Sequence, residues 1–306
     1  MPPARLLSVL PRAPKAVRPP AGQAMISPDD ERYILTHAYV PEHIVGLMTG
    51  ISRGEPFLID GYVGFSRDNW VILVGYPLAG IFDHEDFGRV IAGTITSFRP
   101  EHLWFVAPEV PTSVAQLCQA RESDDYYTLA LQQFAPTADL RRTVNRVSRE
   151  LKVEQGRVIT RDHEELISEF LQRQKPGRRI ERLFLGMAEY LAGSETAVVL
   201  TARDRSGRAA AFYVVELAAP QFATYVVGCH SKRYYTAGAS DLLFAGMVAL
   251  AREHGKSYIH LGLGVNEGIR RFKEKWGGIP RLRCEFCEYR RRERIRSFAF
   301  AHRMWG

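Results

Sequence analysis

Residues 231–278 read SKRYYTAGASDLLFAGMVALAREHGKSYIHLGLGVNEGIRRFKEKWGG, and their punctuation decides the fold. A loop of mostly small and polar residues (Ser231–Ser240) feeds a helix over Asp241–His254 that Gly255 closes. Tyr258–Leu263 reads as a strand, and Glu267–Trp276 as a shorter helix ended by Gly277-Gly278. A last strand is predicted over about Leu282–Tyr289. Just upstream lie three extended runs, Ala197–Ala202, Ala209–Leu217 and Phe222–Gly228, and the Asp204–Gly207 turn makes the first two an antiparallel hairpin. The order ββ(β)–loop–helix–strand–helix–strand predicts an α+β sheet of mixed direction.

Working outward, a helical and extended alternation already runs from residue 30. Pro41-Glu42-His43-Ile44 opens a short helix. Phe57–Phe65 and Trp70–Val74 read as one hairpin, followed by a helix over His84–Ser97, a strand at Leu103–Ala107, a helix at Thr112–Ala120 and an extended stretch at Tyr126–Leu131. Leu140, Val144, Val147 and Leu151 mark the apolar face of a helix whose outer side carries Arg141, Arg142, Arg146 and Arg149. The pattern then restarts: a strand at Val153–Thr160, a helix capped by Asp162, a break at Lys175-Pro176-Gly177, and a helix over Ile180–Leu191. This restart sets a boundary near residue 150, giving domains over 26–150 and 151–292. They are flanked by a leader at 1–25, which holds six of the 17 prolines and reads as disordered, and by a basic tail at 293–306.

Composition narrows the function. In 306 residues, 46% hydrophobic and 25% charged, there is enough apolar material for packed cores, which excludes a mainly disordered or collagen-like chain. No apolar run approaches the roughly 18–20 residues that span a bilayer. Four cysteines are too few for a disulfide scaffold, so a reducing, cytoplasmic setting is expected. The net charge of +7 is unevenly spread: residues 1–25 carry +4 and residues 270–306 carry +8, leaving the span between them at −5. A local basic excess of this kind points to a site for something anionic.

The quoted stretch resembles the GNAT-like domain of the Fem-type peptidoglycan-bridge aminoacyltransferases, in which a helix and a "G, strand, G" element lead into an (F/Y)K-x-(K/R)-(W/F)-G block. Here that block is Phe272-Lys273-Glu274-Lys275-Trp276-Gly277. The first half is similar to the GNAT-like module of lysyl-phosphatidylglycerol synthases, through Val71–Pro77 with Gly80 and through Leu140-Arg141-Arg142 with Asn145-Arg146. The resemblance implies two tandem GNAT-like domains, each a mixed, mostly antiparallel sheet flanked by helices. It also implies an acyltransferase that forms an amide bond. GNAT enzymes that use acetyl-CoA hold its pyrophosphate on an (R/Q)-x-x-G-x-(G/A) loop at a helix N-terminus. The matching positions are Tyr235, Gly238 and Ser240, and only Gly238 keeps the pattern. The expected donor is therefore aminoacyl-tRNA, met at its acceptor end, with acyl-CoA as the alternative. No metal or other cofactor is implied. The acceptor would be an amine of a cell-envelope precursor, a lipid head group or a small metabolite, with peripheral contact to the inner membrane face.

On this reading Gly238, Ser240, Tyr235 and Asn266 lie at the donor loop, and Arg233, Arg270, Lys273 and Lys275 hold phosphate. Asp241, His230 and His260 are the candidate proton acceptors. Other readings of the same residues stay open. The cations of Glu267–Trp276 also suit the end of a helix dipole. Arg290–Arg292, Arg294 and Arg296 could be a solvated tail or a surface for RNA or anionic lipid in a non-catalytic binding module. Cys284 and Cys287 form one CxxC whose thiols diverge on a strand, with Cys229-His230 as further potential ligands. Gly262–Gly268 is a near miss to a dinucleotide-binding turn, with too little chain after it for that fold.

Overall fold

Asp60 and Gly61 both take the left-handed backbone region, at φ 48° and 79°. That is the conformation of a two-residue hairpin turn, and it splits the run read as one strand at Phe57–Phe65 into two. The computed structural model describes residues 26–291. The expected leader at 1–25 and the basic tail from 293 lie outside the described residues. The N-terminal half runs α1 (Pro28–His37), a 3-10 turn (Pro41–His43), α2 (Val45–Ser52), β1 (Glu55–Ile59), β2 (Tyr62–Arg67), β3 (Trp70–Val74), α3 (His84–Phe98), β4 (His102–Ala107), the single turn α4 (Thr112–Ala115) and β5 (Cys118–Ala130). Then come α5 (Ala138–Val147), β6 (Leu151–Gly156), α6 (Arg161–Gln174), α7 (Arg178–Leu185), α8 (Met187–Gly193), β7 (Ala197–Asp204) and β8 (Ala209–Glu216). The chain ends in β9 (Phe222–His230), α9 (Ala239–Glu253), β10 (Tyr258–Leu263), α10 (Glu267–Lys275) and β11 (Ile279–Arg290).

Local chemistry sets most helix starts. Ser27 and Asp30 exchange hydrogen bonds in a capping box on α1, Thr137 accepts from the Leu140 N–H at α5, and Asn266 accepts from the Ile269 N–H at α10. The residue at the head of α6 is Thr160, whose N–H donates to His163 Nδ1 at 3.0 Å. Asp162, expected as the cap, instead pairs with Arg203.

All eleven strands form one sheet in the order β1-β2-β3-β4-β11-β5-β10-β9-β8-β7-β6. Only β3–β4 and β9–β10 are parallel. The last strand, β11, enters the first half and pairs antiparallel on both edges, Phe286 lying opposite Val106 of β4 and Glu122 of β5. This explains why β5 begins at Cys118, where a helix was expected to continue to Ala120. Residues 118–125 are polar and locally indifferent, and the strand state comes from the ladder with β11.

Alternation sorts the side chains to the two faces. Val71, Leu73, Leu103 and Phe105 pack with α3 and α4, whereas Trp70, Val74 and Trp104 face α1 and α2. In the second half, α5, α9 and Trp276 cover one face and α2 with α6–α8 the other. Cys284 and Cys287 fall on opposite faces, as their spacing requires. Cys287 is bonded to Cys118 in a disulfide that links β11 to β5, a pairing the sequence reading did not anticipate. The pairing joins residues 169 apart in sequence, so spacing could not reveal it. Cys229 and Cys284 are free and buried. Among the described residues no helix is long and apolar enough to cross a membrane.

Candidate functional site

The parallel strands β9 and β10 pair at only three positions, ending with His260 opposite Thr224. Both continue past that point, β9 to His230 and β10 to Leu263, but the ladder between them stops. A register shift against β5 between His260 and Leu263, with Gly262 at φ 71°, marks the place where β10 turns away. A cavity of about 500 Å³ opens in the gap, lined by Thr224–His230 on one side and Leu261–Leu263 on the other. Its wall is mostly apolar, and the polar groups on it include Glu42, Tyr126, Arg173, Thr224, His230, Ser240, Asn266 and Lys273. Few polar groups on an apolar concavity is the usual make-up of a ligand site.

The cations of α10 do not act as a unit. Arg271 pairs with Glu267 one turn away, Arg270 Nη2 lies 3.7 Å from Asp124, and Lys275 pairs with Asp241. Lys273 alone turns inward, donating to the Leu263 carbonyl and passing 5.5 Å from the Tyr127 ring. Burial pushes its ammonium down to about 7, against the pull of Asp124. Phe272, Lys273 and Asn266 therefore reach the same cavity as Ser240 at the head of α9.

The expected proton acceptors separate. Asp241 is buried, with Oδ1 accepting from Trp276 Nε1 at 2.8 Å and facing Lys275 Nζ. His260 is fully buried, and desolvation followed by the Lys273 charge lowers it to about 3. Its Nδ1 accepts the Gly262 N–H at 3.2 Å, so Nε2 carries the proton, and that atom has no partner. His230 lies on the cavity rim, 6.0 Å from the Tyr235 ring, and is lowered by desolvation and then by Arg173. Of the three, only His230 has a free ring facing the cavity.

At the loop before α9, Tyr235 is exposed, and Arg233 lies 5.2 Å from the Tyr234 ring. Gly238 is needed twice over. Its φ is +92°, and a Cβ there would come within 2.8 Å of Val147 Cγ2 and 3.2 Å of Thr143 Cγ2. Helix α5 thus lies against this glycine, and Arg146 donates to the Ala237 carbonyl at 3.3 Å. Gly238, Arg233 and Tyr235 stay off the cavity wall, while Ser240 lies on it.

Sequence reasoning missed Glu42. It is 3% exposed in the 3-10 turn, and its Oε1 accepts the Tyr126 hydroxyl at 2.6 Å while Oε2 has no partner. Burial pushes its carboxyl above the ordinary range, against the Tyr126 hydrogen bond. In the sequence it is one acid in a Pro-Glu-His run at a helix start, and the strand that approaches it, β5, comes from 84 residues away. Among the described residues no three His, Cys, Asp or Glu side chains gather as a metal site.

Comparison with known proteins places this geometry. No family model matches, and no curated sequence does. Solved structures do. FemX is similar at a TM-score of 0.58 and 12% identity, over 88% of this chain and 97% of that one. L-PGS from Bacillus licheniformis gives 0.53 and 16%, over 90% and 95%. A tandem GNAT protein from the clavulanic acid biosynthesis pathway gives 0.54 and 13%, over 85% and 94%. The chain has a tandem GNAT-like fold.

Proposed function

We propose that the chain is an acyltransferase that forms an amide, moving an aminoacyl group from aminoacyl-tRNA to an amine of an envelope precursor, a lipid head group or a small metabolite. One observation carries the reading: the β9–β10 ladder stops at His260–Thr224 around a cavity that Lys273 enters. An ester carbonyl laid between those edges meets backbone groups that no strand uses. Lys273, in its cationic form, holds the negative charge that develops on the carbonyl oxygen. The amine attacks, the C–N bond forms, the C–O bond to the ribose breaks, and the hydroxyl leaves with a proton. The amine's surplus proton passes to His230 or to water. Nothing here requires a covalent enzyme intermediate; alignment of two bound substrates is the main contribution.

The tRNA donor is favoured over acyl-CoA by two features. The loop at Gly238 keeps one glycine of the pyrophosphate pattern, and helix α5 packs against that glycine. Arg146 of α5 donates to the Ala237 carbonyl of this loop, and Arg149 just after α5 accepts from Arg205 through its carbonyl, a basic strip for a polynucleotide backbone. Use of charged tRNA sets the reaction in the cytoplasm, and a lipid-linked acceptor would draw the protein to the inner membrane face. The test is incubation with a pool of charged tRNAs and cell extract, read by mass spectrometry for new amides. An amide that disappears with Lys273→Met supports the reading. Ester hydrolysis with no amide, or transfer only from acyl-CoA, overturns it.

A further inference from the structure

We propose that Glu42, Tyr126 and Thr224 form a subsite that recognises the free amino group of the acyl unit held in the cavity. The inference rests on the transferase reading and deepens it, by giving this chain's own residues a role in choosing the acyl group.

Two buried polar atoms on the cavity wall lack any hydrogen-bond partner, Glu42 Oε2 and Thr224 Oγ1. Buried polar groups are paired in folded proteins nine times in ten or better. Two such acceptors on one wall point to a ligand that donates hydrogen bonds. A chain of contacts links them. Glu42 accepts from Tyr126, the Tyr126 ring lies 4.9 Å from the His260 ring, and His260 is the register partner of Thr224. Phe222, two residues before Thr224 on the same face of β9, lies 6.0 Å from that imidazole. The wall thus offers a carboxyl oxygen and a hydroxyl oxygen as acceptors.

The surroundings of Glu42 lack a counter-charge. Tyr126 on β5, Tyr76 after β3 and Cys284 on β11 face it, and burial raises all three. His43 beside it is lowered to about 4 and bonds the Tyr76 carbonyl. All four are neutral near pH 7, and Glu42 makes no ion pair among the described residues. Burial favours the protonated form of an acid so placed. An ammonium group is the ligand that reverses this: it donates to Oε2 and Thr224 Oγ1, the carboxyl ionises, and the proton leaves to solvent. Tyr126 goes on donating to Oε1. An acylated nitrogen carries no charge to drive that ionisation and has fewer hydrogens to give. The subsite therefore separates aminoacyl units from plain or N-blocked acyl units.

The experiment uses the full chain with L-leucinamide and N-acetyl-L-leucinamide as probes, by calorimetry near pH 7 in two buffers of different ionisation enthalpy. The free amine should bind about tenfold or more tighter than its acetylated form. It should release protons on binding, read from the difference in heat between buffers. Glu42→Gln keeps the shape and should lose both effects. Equal affinity for the two probes, or no proton release by the wild-type chain, overturns the subsite whether or not the variant folds. The kinetic arm separates this inference from its parent. Equal transfer from aminoacyl and N-acetyl-aminoacyl tRNA overturns the subsite and leaves the transferase standing. Proton-coupled amine binding by a chain that transfers nothing supports the subsite and overturns the transferase.

Discussion

Two residues of the same short helix, Lys273 and Lys275, look alike in sequence and differ in physics. Lys275 ends on Asp241 at the surface, while Lys273 is buried and lowered to about 7. In the unfolded chain the same amine titrates near 10.5. Between those values the folded chain binds fewer protons than the unfolded one, so the burial cost is fully present below pH 7 and fades as pH rises. Lys273→Met should therefore be more stable than the wild type near about pH 6, with the gap closing by about pH 10, in urea titrations at the two pH values. A gap independent of pH would show that the amine is not buried as described. Lys273→Arg stays charged, so transfer in that variant should persist above about pH 7, where the wild type falls off. Asp241 gives the converse case. Its carboxylate is engaged by Trp276 and Lys275, so Asp241→Ala should lower stability by about 1–3 kcal/mol. Turnover per folded molecule should hold within about twofold. A collapse of turnover with stability intact would restore it as the base.

At the scale of elements, α5 of the first half packs against the loop before α9 of the second. Gly238→Ala puts a methyl group at φ +92° and 2.8 Å from Val147 Cγ2. Strain and overlap together should cost about 1–3 kcal/mol, and Val147→Ala should relieve part of it in the double variant. Strict additivity of the two would mean that α5 does not rest on the glycine. This junction also shows what the sequence could and could not yield. Helix α9, strand β10 and helix α10 were legible almost to the residue, because Gly255 and Gly277 punctuate clean periodicity. The α5 face was legible too, but not the surface it covers, since nothing in Leu140, Val144 or Val147 names Gly238. Strand β5 was half-legible. Its apolar end follows propensity, and its polar beginning is a strand only because β11 lies alongside. Glu42 and Thr224 were invisible for the same reason: their meaning comes from a cavity that tertiary pairing creates.

For the molecule as a whole, the order of strands forbids a simple cut between the repeats. Both neighbours of β5, namely β11 and β10, come from beyond residue 150, and so does one neighbour of β4. A first half made alone would present three unpaired strand edges, both edges of β5 and the β4 edge from His102 to Ala107. Such edges aggregate rather than fold. The second half made alone would keep β6 to β10 as a sheet but leave β11 with nothing to pair to. The Cys118–Cys287 bond crosses the same seam. The repeat seen in sequence near residue 150 is thus a repeat of pattern, while the cooperative unit is the pair. Fragments 26–150 and 151–291, expressed apart, should each lack a sigmoidal unfolding transition by circular dichroism, and the first should aggregate. The full chain should melt in one calorimetric transition whose van't Hoff and calorimetric enthalpies agree. Co-expression should return a heterodimer, because the β11 ladders with β4 and β5 form between two chains as well as within one. A first fragment that unfolds cooperatively by itself would show that β11 is an addition to a finished domain.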